Sequence, residues 1–311
     1  MLKLAALLAI GSMLPAADLR LGLIGTDTSH VTAFIRILND PMSPDYLPGA
    51  RIVAAYKGGS KDIEESASRI DKFTDELRLK WKVDFYSDIN TLCKRVDAVL
   101  LTSVDGRVHL EQVKPVLAAH KPVFIDKPLA ASLADAREIA RLAKEAHVPW
   151  FSASSLRFGE LGTTMKFSDA LGVTTWGPGP VEPHHALEYA WYAIHPIELL
   201  YTLMGPGCEQ VSVTAGKDED VIVGRWKDGR IGTVRTLRPY GTYGANVYRP
   251  KGVMQSKAKT EEGYRPLLVE IVKFFETGQT PVPNEETLEI FAFLDAAQRS
   301  KAAGGAPMKL P

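Results

Sequence analysis

The chain has 311 residues, 37 basic and 37 acidic side chains, and a formal net charge of zero. That length suits two domains rather than one, and the balanced charge gives no electrostatic footprint for binding nucleic acid. Two cysteines, Cys93 and Cys208, make neither a disulfide framework nor a zinc site and read as buried thiols in different domains.

In chain order, Met1-Leu-Lys3, the nearly all-apolar stretch Leu4 to Leu14 and then Pro15-Ala-Ala17 read as a secretory signal peptide cleaved after Ala17. There is no Arg-Arg pair, so the leader is of the general secretory type, and a periplasmic or secreted location is expected. If the leader is instead a structured apolar extension ahead of the first strand, a cytoplasmic location is expected. No later segment is long and apolar enough to span a membrane. Leu19 opens a first strand that runs to Gly25, and Arg51-Ile-Val-Ala-Ala-Tyr56 is a second. The Pro-rich connection Asn39 to Gly49 between them is expected as a flap over a ligand site. Val96 to Thr102 is another buried strand, followed by a polar turn and a helix over Leu110 to His120, with Val113, Val116 and Leu117 as its apolar positions.

Next comes Lys121-Pro-Val-Phe-Ile-Asp-Lys-Pro-Leu129. The run Val123 to Ile125 predicts a buried parallel strand. Pro128 cannot continue a ladder and biases Lys127 toward an extended conformation, so the strand is expected to stop at Lys127. Its amine then lies beyond the strand's carboxyl end, where open α/β sheets hold ligands. Partial desolvation there lowers a lysine pKa and suits it to proton transfer. A helix over Ser132 to His147, with Ser132 as N-cap, and a strand over Val148 to Ala153 follow. Strand–helix alternation of this kind predicts a doubly wound parallel sheet. Beyond Gly205, Val211–Val213, Val221–Trp226 and Ile231–Leu237 read as consecutive strands, the last two joined at Asp228-Gly229. Leu267–Phe275 and Leu288–Ala297 have helical periodicity.

The order of motifs resembles the glucose–fructose oxidoreductase, inositol dehydrogenase and rhizopine-catabolism (Gfo/Idh/MocA) family. It runs Leu21-Gly-Leu-Ile-Gly25, Val96–Thr102 with His109, Asp126-Lys127-Pro128, Arg157-Phe158 and Ala193-Ile-His195-Pro-Ile-Glu-Leu-Leu. The Tyr264–Lys301 helices and Pro307-Met-Lys-Leu-Pro311 follow the same pattern. The resemblance implies an α/β protein with an N-terminal Rossmann domain, a doubly wound parallel sheet over 18–153 that binds a nicotinamide cofactor. It also implies a C-terminal α/β domain over 154–311 whose open, mostly antiparallel sheet carries the substrate pocket on one side and an oligomer contact on the other. The chemistry it implies is hydride transfer to or from a hydroxyl of a sugar or polyol. Lys127 and His195 would act in acid/base and substrate-positioning roles, and the protein is expected to form a homo-oligomer.

Two regions depart from the family pattern. A dinucleotide fingerprint has the form Gly-x-Gly-x-x-Gly, but here the loop is Gly25-Thr26-Asp27-Thr28-Ser29-His30. Asp27 stands at the second glycine position, where a carboxylate repels pyrophosphate, and His30 stands at the third. Thr26, Thr28 and Ser29 can still donate to phosphate, and the helix N-terminus remains attractive to anions. Either Asp27 turns aside and the loop still binds cofactor, or the site is remodelled. After the second strand come Lys57, Ser60 and Lys61 in place of an acid, which suits a 2′-phosphate and favours NADP over NAD. Thr102, His109, Asp126 and Lys127 complete the expected cofactor side.

The second departure is in the segment from His184 to Glu198. Trp191 occupies the position four before His195 where the family commonly has an aspartate. Tryptophan offers a stacking face and one N–H but cannot accept a proton. Glu188 and Tyr192 are the expected replacements, with Arg157, His184, His185 and Trp191 on the substrate side. Arg225, Arg235 and Arg238 either reach the pocket or line an exposed sheet face. A metal reading would draw on Glu182, His184, His185, Glu188 and His195, with Asp27 or His30 across the cleft, but their spacing matches no ligand signature. Two rival functions remain: a cofactor-independent or metal-assisted lyase, isomerase or hydrolase on carbohydrate, and a non-catalytic sugar-binding protein.

Overall fold

The computed structural model describes residues 18–311, so the expected leader lies outside the described residues. The first half alternates strands and helices: β1 (Leu19–Ile24), α1 (Ser29–Asn39), β2 (Ala50–Tyr56), α2 (Glu64–Ala67), α3 (Ile70–Asp75), β3 (Asp84–Phe85), α4 (Ile89–Cys93), β4 (Ala98–Leu101), α5 (His109–Ala118), β5 (Val123–Ile125), α6 (Leu133–Ala146) and β6 (Trp150–Phe151). The six strands form one parallel sheet in the order β3-β2-β1-β4-β5-β6. This is the doubly wound order that the alternation predicts, with its switch point between β1 and β4. All residues of β4 and β5 are buried, as a sheet covered on both faces requires. Ser132 caps α6 by accepting from Asp135 N at 3.0 Å. Strand β5 ends at Ile125, two residues before the expected stop, because Asp126 N still reaches Leu101 O but Lys127 leaves the ladder.

The second half runs α7 (Glu160–Thr164), β7 (Gly172–Pro178), α8 (Ile194–Met204), β8 (Cys208–Ala215), β9 (Glu219–Trp226), β10 (Ile231–Leu237), β11 (Gly244–Arg249), β12 (Gly252–Gln255), α9 (Arg265–Thr277), α10 (Asn284–Ala302) and β13 (Met308–Lys309). Its sheet has seven strands in the order β12-β11-β7-β10-β9-β8-β13. Every pairing is antiparallel except β7 with β10. The β9–β10 hairpin turns at Asp228-Gly229, where Gly229 takes a φ of 86° that a side chain would resist. The helix α8 is buried at every position and packs on β7 and β10 of this sheet.

Helix α9 returns to the first domain rather than staying with its own sheet. Leu267, Leu268, Ile271 and Phe274 join Phe34, Phe124 and Phe151 in one buried cluster, and the Phe151 and Phe274 rings meet edge-on at 5.0 Å. The Asn39–Gly49 connection lies at the opposite end of the sheet from the carboxyl ends of the strands. Leu19 N, at the start of β1, bonds to Gly49 O, and Leu47 N bonds to Ile37 O. It is therefore no flap over the ligand site. Among the described residues, no helix is long and apolar enough to cross a membrane.

Candidate active site

The carboxyl ends of β1, β4 and β5 converge beside the switch point. Gly25 follows β1 with a φ of 89°, and a Cβ there would lie 2.4 Å from Ser103 N, so only glycine fits. Thr102 fixes this loop by donating from Oγ1 to Gly25 O at 2.9 Å. Helix α1 starts behind Thr28, whose Oγ1 accepts from His30 N. The His30 ring turns onto Asp126, with Nδ1 and Oδ2 2.5 Å apart, and rests against Tyr264 at 4.6 Å between centroids. The second Asp126 oxygen accepts from Lys127 N at 2.8 Å. Burial works to raise the Asp126 pKa, but the charges of His30 and Lys127 outweigh it and hold the carboxyl below its ordinary value.

Across the cleft, Ser154 Oγ lies 2.7 Å from His195 Nδ1 and fixes the orientation of the ring. Beneath it, Glu198 accepts from Ser154 N at 2.8 Å and from Arg157 Nε at 3.0 Å. Arg157 also pairs with Glu286 at 2.8 Å. The two halves enclose a cavity of about 200 Å³ lined by His30, Lys127, Trp191, Tyr192, His195, Tyr243 and Tyr264, among others. That is smaller than the roughly 300–1,000 Å³ of sites for drug-sized ligands and suits a molecule of monosaccharide size. Lys127 Nζ lies 5.9 Å from the centre of the Tyr192 ring, within cation–π range. Desolvation lowers the Lys127 pKa, against the pull of Asp126 and Glu65. Burial, followed by the charges of Lys127 and His30, holds His195 well below the ordinary histidine value, so it is neutral at pH 7. A larger cavity of about 600 Å³ near Arg137, Glu289 and Pro311 contains neither Lys127 nor His195.

Lys127, Tyr192, His195 and Trp191 thus share one pocket with Thr28, Ser29 and His30. Other expected site residues are elsewhere. Glu188 is turned toward α10, accepting from Gln298 Nε2 and Lys301 Nζ at 3.0 Å each, so it does not replace the missing aspartate in the pocket. His109 is fully buried, with its ring nitrogens against Ser103 O and Leu129 O, and serves as a strut. Arg157 is buried behind the pocket in its pair of carboxylates. His184 is exposed and pairs with Glu182, while His185 is buried against Asp105 at 3.0 Å and edge-on to Trp191. Arg235 and Arg238 pair with Glu219 and Asp220, and Arg225 lines the larger cavity. Among the described residues, no three metal-ligating side chains are arranged to hold an ion. Ser154, Tyr243 and Tyr264 belong to the site but no short-range spacing marks them in the sequence.

The pocket and the strut beneath it make a pH prediction. His195 and His109 are both held low chiefly by burial. In the unfolded chain they take up protons near pH 6.5. The unfolded state then binds more protons as pH falls, so stability is lost in that direction. Asp105 and Asp126 also sit below their ordinary values, although burial opposes this, and their loss comes only nearer pH 4. The melting temperature is expected to decline once pH drops below about 6.5. A melting temperature that stays level down to about pH 5 would mean that both imidazoles are already charged in the fold.

A dinucleotide on a Rossmann sheet passes over the first glycine loop, with its pyrophosphate at the helix N-terminus. Here Thr26 and Asp27 are fully buried and Thr28 is 4% exposed. The covering atoms belong to the chain itself. Ser66 Oγ on α2 donates to Asp27 Oδ2 at 2.7 Å, and the other Asp27 oxygen accepts from Val104 N at 3.1 Å. Asp27 therefore does turn aside from the groove, but α2 follows it into the space. Lys57, Ser60 and Lys61 line a separate cavity of about 360 Å³ on the far side of α2, and the Lys57 amine is paired with Asp71. The adenosine end has room, whereas the pyrophosphate stretch does not fit in this arrangement.

Residues 19–154 match the family described as "Oxidoreductase family, NAD-binding Rossmann fold" (GFO_IDH_MocA). No curated protein matches the sequence. Among solved structures, a probable dehydrogenase from Thermotoga maritima is 22% identical, with a TM-score of 0.72, over 94% of this chain and 99% of that one. The myo-inositol dehydrogenase from Lactobacillus casei, in complex with NAD(H) and myo-inositol, is 18% identical, with a TM-score of 0.73, over 95% and 97% of the two chains. An oxidoreductase from Agrobacterium radiobacter, in complex with NAD+, L-tartaric acid and magnesium, is 16% identical, with a TM-score of 0.71, over 94% and 99%. At these identities the likeness shows the fold, both domains included. The strand order and Asp126-Lys127-Pro128 are thus consistent with the Gfo/Idh/MocA oxidoreductase family, and residues 19–154 match that family's NAD-binding Rossmann fold.

Proposed function

We propose that the protein is an oxidoreductase acting on a hydroxyl of a sugar or polyol in the Lys127–His195 pocket. The single observation that carries this is the placement of a lysine of lowered pKa and a neutral, Ser154-oriented histidine in one small cavity with aromatic walls. Lys127, partly desolvated, takes the proton of a bound hydroxyl and returns it in the reverse direction, and the hydride leaving the carbon would go to an oxidised nicotinamide, the acceptor this reading requires. His195, its Nδ1 engaged by Ser154, offers Nε2 to a second position on the substrate. Tyr192, Tyr243 and Tyr264 supply ring faces for the apolar C–H surface of a sugar and hydroxyls at their rims. Burial pushes the Tyr264 phenol up to about 12, so it acts as a donor and not as a base. The myo-inositol held by the Lactobacillus relative supports a polyol of this size. Lys57, Ser60 and Lys61 around the adenosine-side cavity support NADP over NAD.

The test is turnover on a panel of myo-inositol, aldohexoses, open-chain polyols and tartrate, each offered with NAD+ and NADP+. Oxidation of at least one sugar or polyol, faster with NADP+, is expected. Oxidation of tartrate alone would move the substrate to the hydroxy acids, and no turnover on any member would reject the reading.

A further inference from the structure

The segment Ser60–Asp75 crosses the dinucleotide groove and is held to its surroundings at separate points. Near its start Ser60 Oγ donates to Asp105 Oδ2 at 2.6 Å. In the middle, Ile63 is buried in a small cluster with Val104 and Trp191, and Ser66 holds Asp27. Near its end the hydroxyls of Thr74 and Thr26 meet at 2.7 Å. Between these points Lys61, Asp62, Glu64, Ala67, Ser68, Asp71 and Lys72 are exposed, with Asp62 paired at the surface to Arg107 at 2.9 Å and Asp71 to Lys57 at 2.7 Å. The short helix α2 is a partition: Glu65 faces the 200 Å³ pocket, whereas Ser66 and Ala67 face the 360 Å³ cavity. Both ends of the segment are built to bend. Gly58 and Gly59, with φ of 65° and 102°, precede it, and the π-helical turn Glu76–Lys80 follows it.

We propose that Ser60–Asp75 is a gate that swings out about Gly58–Gly59 and the Glu76–Lys80 turn, joining the two cavities into one groove that admits a nicotinamide dinucleotide, and that Ser66–Asp27 and Ile63 latch it shut. The closed gate reconciles an NAD-binding family with a loop that its own chain covers. Asp27 keeps its bond from Val104 N when Ser66 leaves, so its carboxylate stays directed away from the groove. Burial raises the Asp27 pKa against these bonds, which fits a carboxylate that gains solvation when the gate opens. Dinucleotide affinity is then reduced by the fraction of molecules that are open, and loosening the latch restores it. The gate goes beyond the Lys127 reading and stands on different residues.

The experiment titrates the full chain, Ser66→Ala and Ile63→Ala with NADH and NADPH by calorimetry, with thermal melts to confirm that each variant is folded. Both variants are expected to bind at least about tenfold more tightly than the unmodified chain. In the unmodified chain, saturating NADPH is expected to speed amide exchange over 60–75 and leave the β9–β10 hairpin unchanged. Equal or weaker binding by both variants would overturn the gate, as would dinucleotide binding with no change in exchange over 60–75. Absence of binding in all three proteins would also overturn it and make the segment a permanent plug. Sugar turnover without gating rejects the gate alone, and gating without turnover on the panel rejects only the substrate class.

Discussion

Arg157→Ala is expected to destabilise the protein by about 3–5 kcal/mol, the range for removing one partner of a buried ion pair. The guanidinium bridges Glu198 on α8 and Glu286 on α10 at 3.0 and 2.8 Å, and all three side chains are nearly excluded from water. Taking it away leaves two buried carboxylates facing each other. Burial already raises the Glu198 pKa, and Arg157 is the main opposing influence. In the variant Glu198 must therefore take up a proton or pull in water. Either response loosens the bond to Ser154 N, and with it the Ser154–His195 contact. Chemical denaturation followed by circular dichroism measures the loss. Neutralising both acids as well, in Arg157→Met/Glu198→Gln/Glu286→Gln, is expected to recover part of it, since well-packed uncharged groups often replace a buried ionic cluster at little cost. A single variant within about 1 kcal/mol of the unmodified chain would mean that the carboxylates find water or other partners, and that this cluster is not what ties α8 and α10 to the turn that carries Ser154 and Arg157.

The same cluster shows what a sequence can and cannot convey. The parallel sheet was legible because buried strands such as Val123–Ile125 are short apolar runs between turn residues, and their alternation with helices admits few topologies. The place of Lys127 just past the carboxyl end of β5 was legible because an apolar run followed by Asp-Lys-Pro leaves the ladder there, although the strand stops two residues earlier than expected. The helix α9 has clear periodicity, but amphipathicity says that a face is buried and not against what, so its return to the first domain could not be read. The closed glycine loop depends on contacts between residues far apart in the chain: Asp27 meets Ser66 39 positions on, and His30 meets Asp126 96 positions on. Glu188 failed for a local reason. Helical spacing from His195 places it near the pocket face, but Glu188–Ala190 is a single 3₁₀ turn and α8 begins only at Ile194, so that spacing does not apply.

Lys127→Ala is expected to lower turnover by about 10²–10⁴-fold, the usual contribution of a positioned general acid or base, while leaving the fold intact. Among the described residues no carboxylate pairs with its Nζ, and the nearest aromatic face is that of Tyr192. Its ammonium is therefore held by burial against its own solvation, with only the more distant pull of Asp126 and Glu65 in compensation. Removing such a group relieves strain in the folded state, so the melting temperature is expected to hold or rise, as is common where function and stability compete. A second signature follows from the electrostatics. Lys127 is the leading charge that depresses His195, and its loss should raise the His195 pKa toward the ordinary value, readable by NMR titration of the imidazole. A third lies in the rate. In the unmodified enzyme the oxidation rate should climb with pH up to the lowered lysine pKa, because only the neutral amine accepts the hydroxyl proton, and this limb should vanish in the variant. Turnover within about tenfold of the unmodified enzyme, with the alkaline limb intact, would remove Lys127 from the chemistry and leave His195 or a phenol as the proton acceptor.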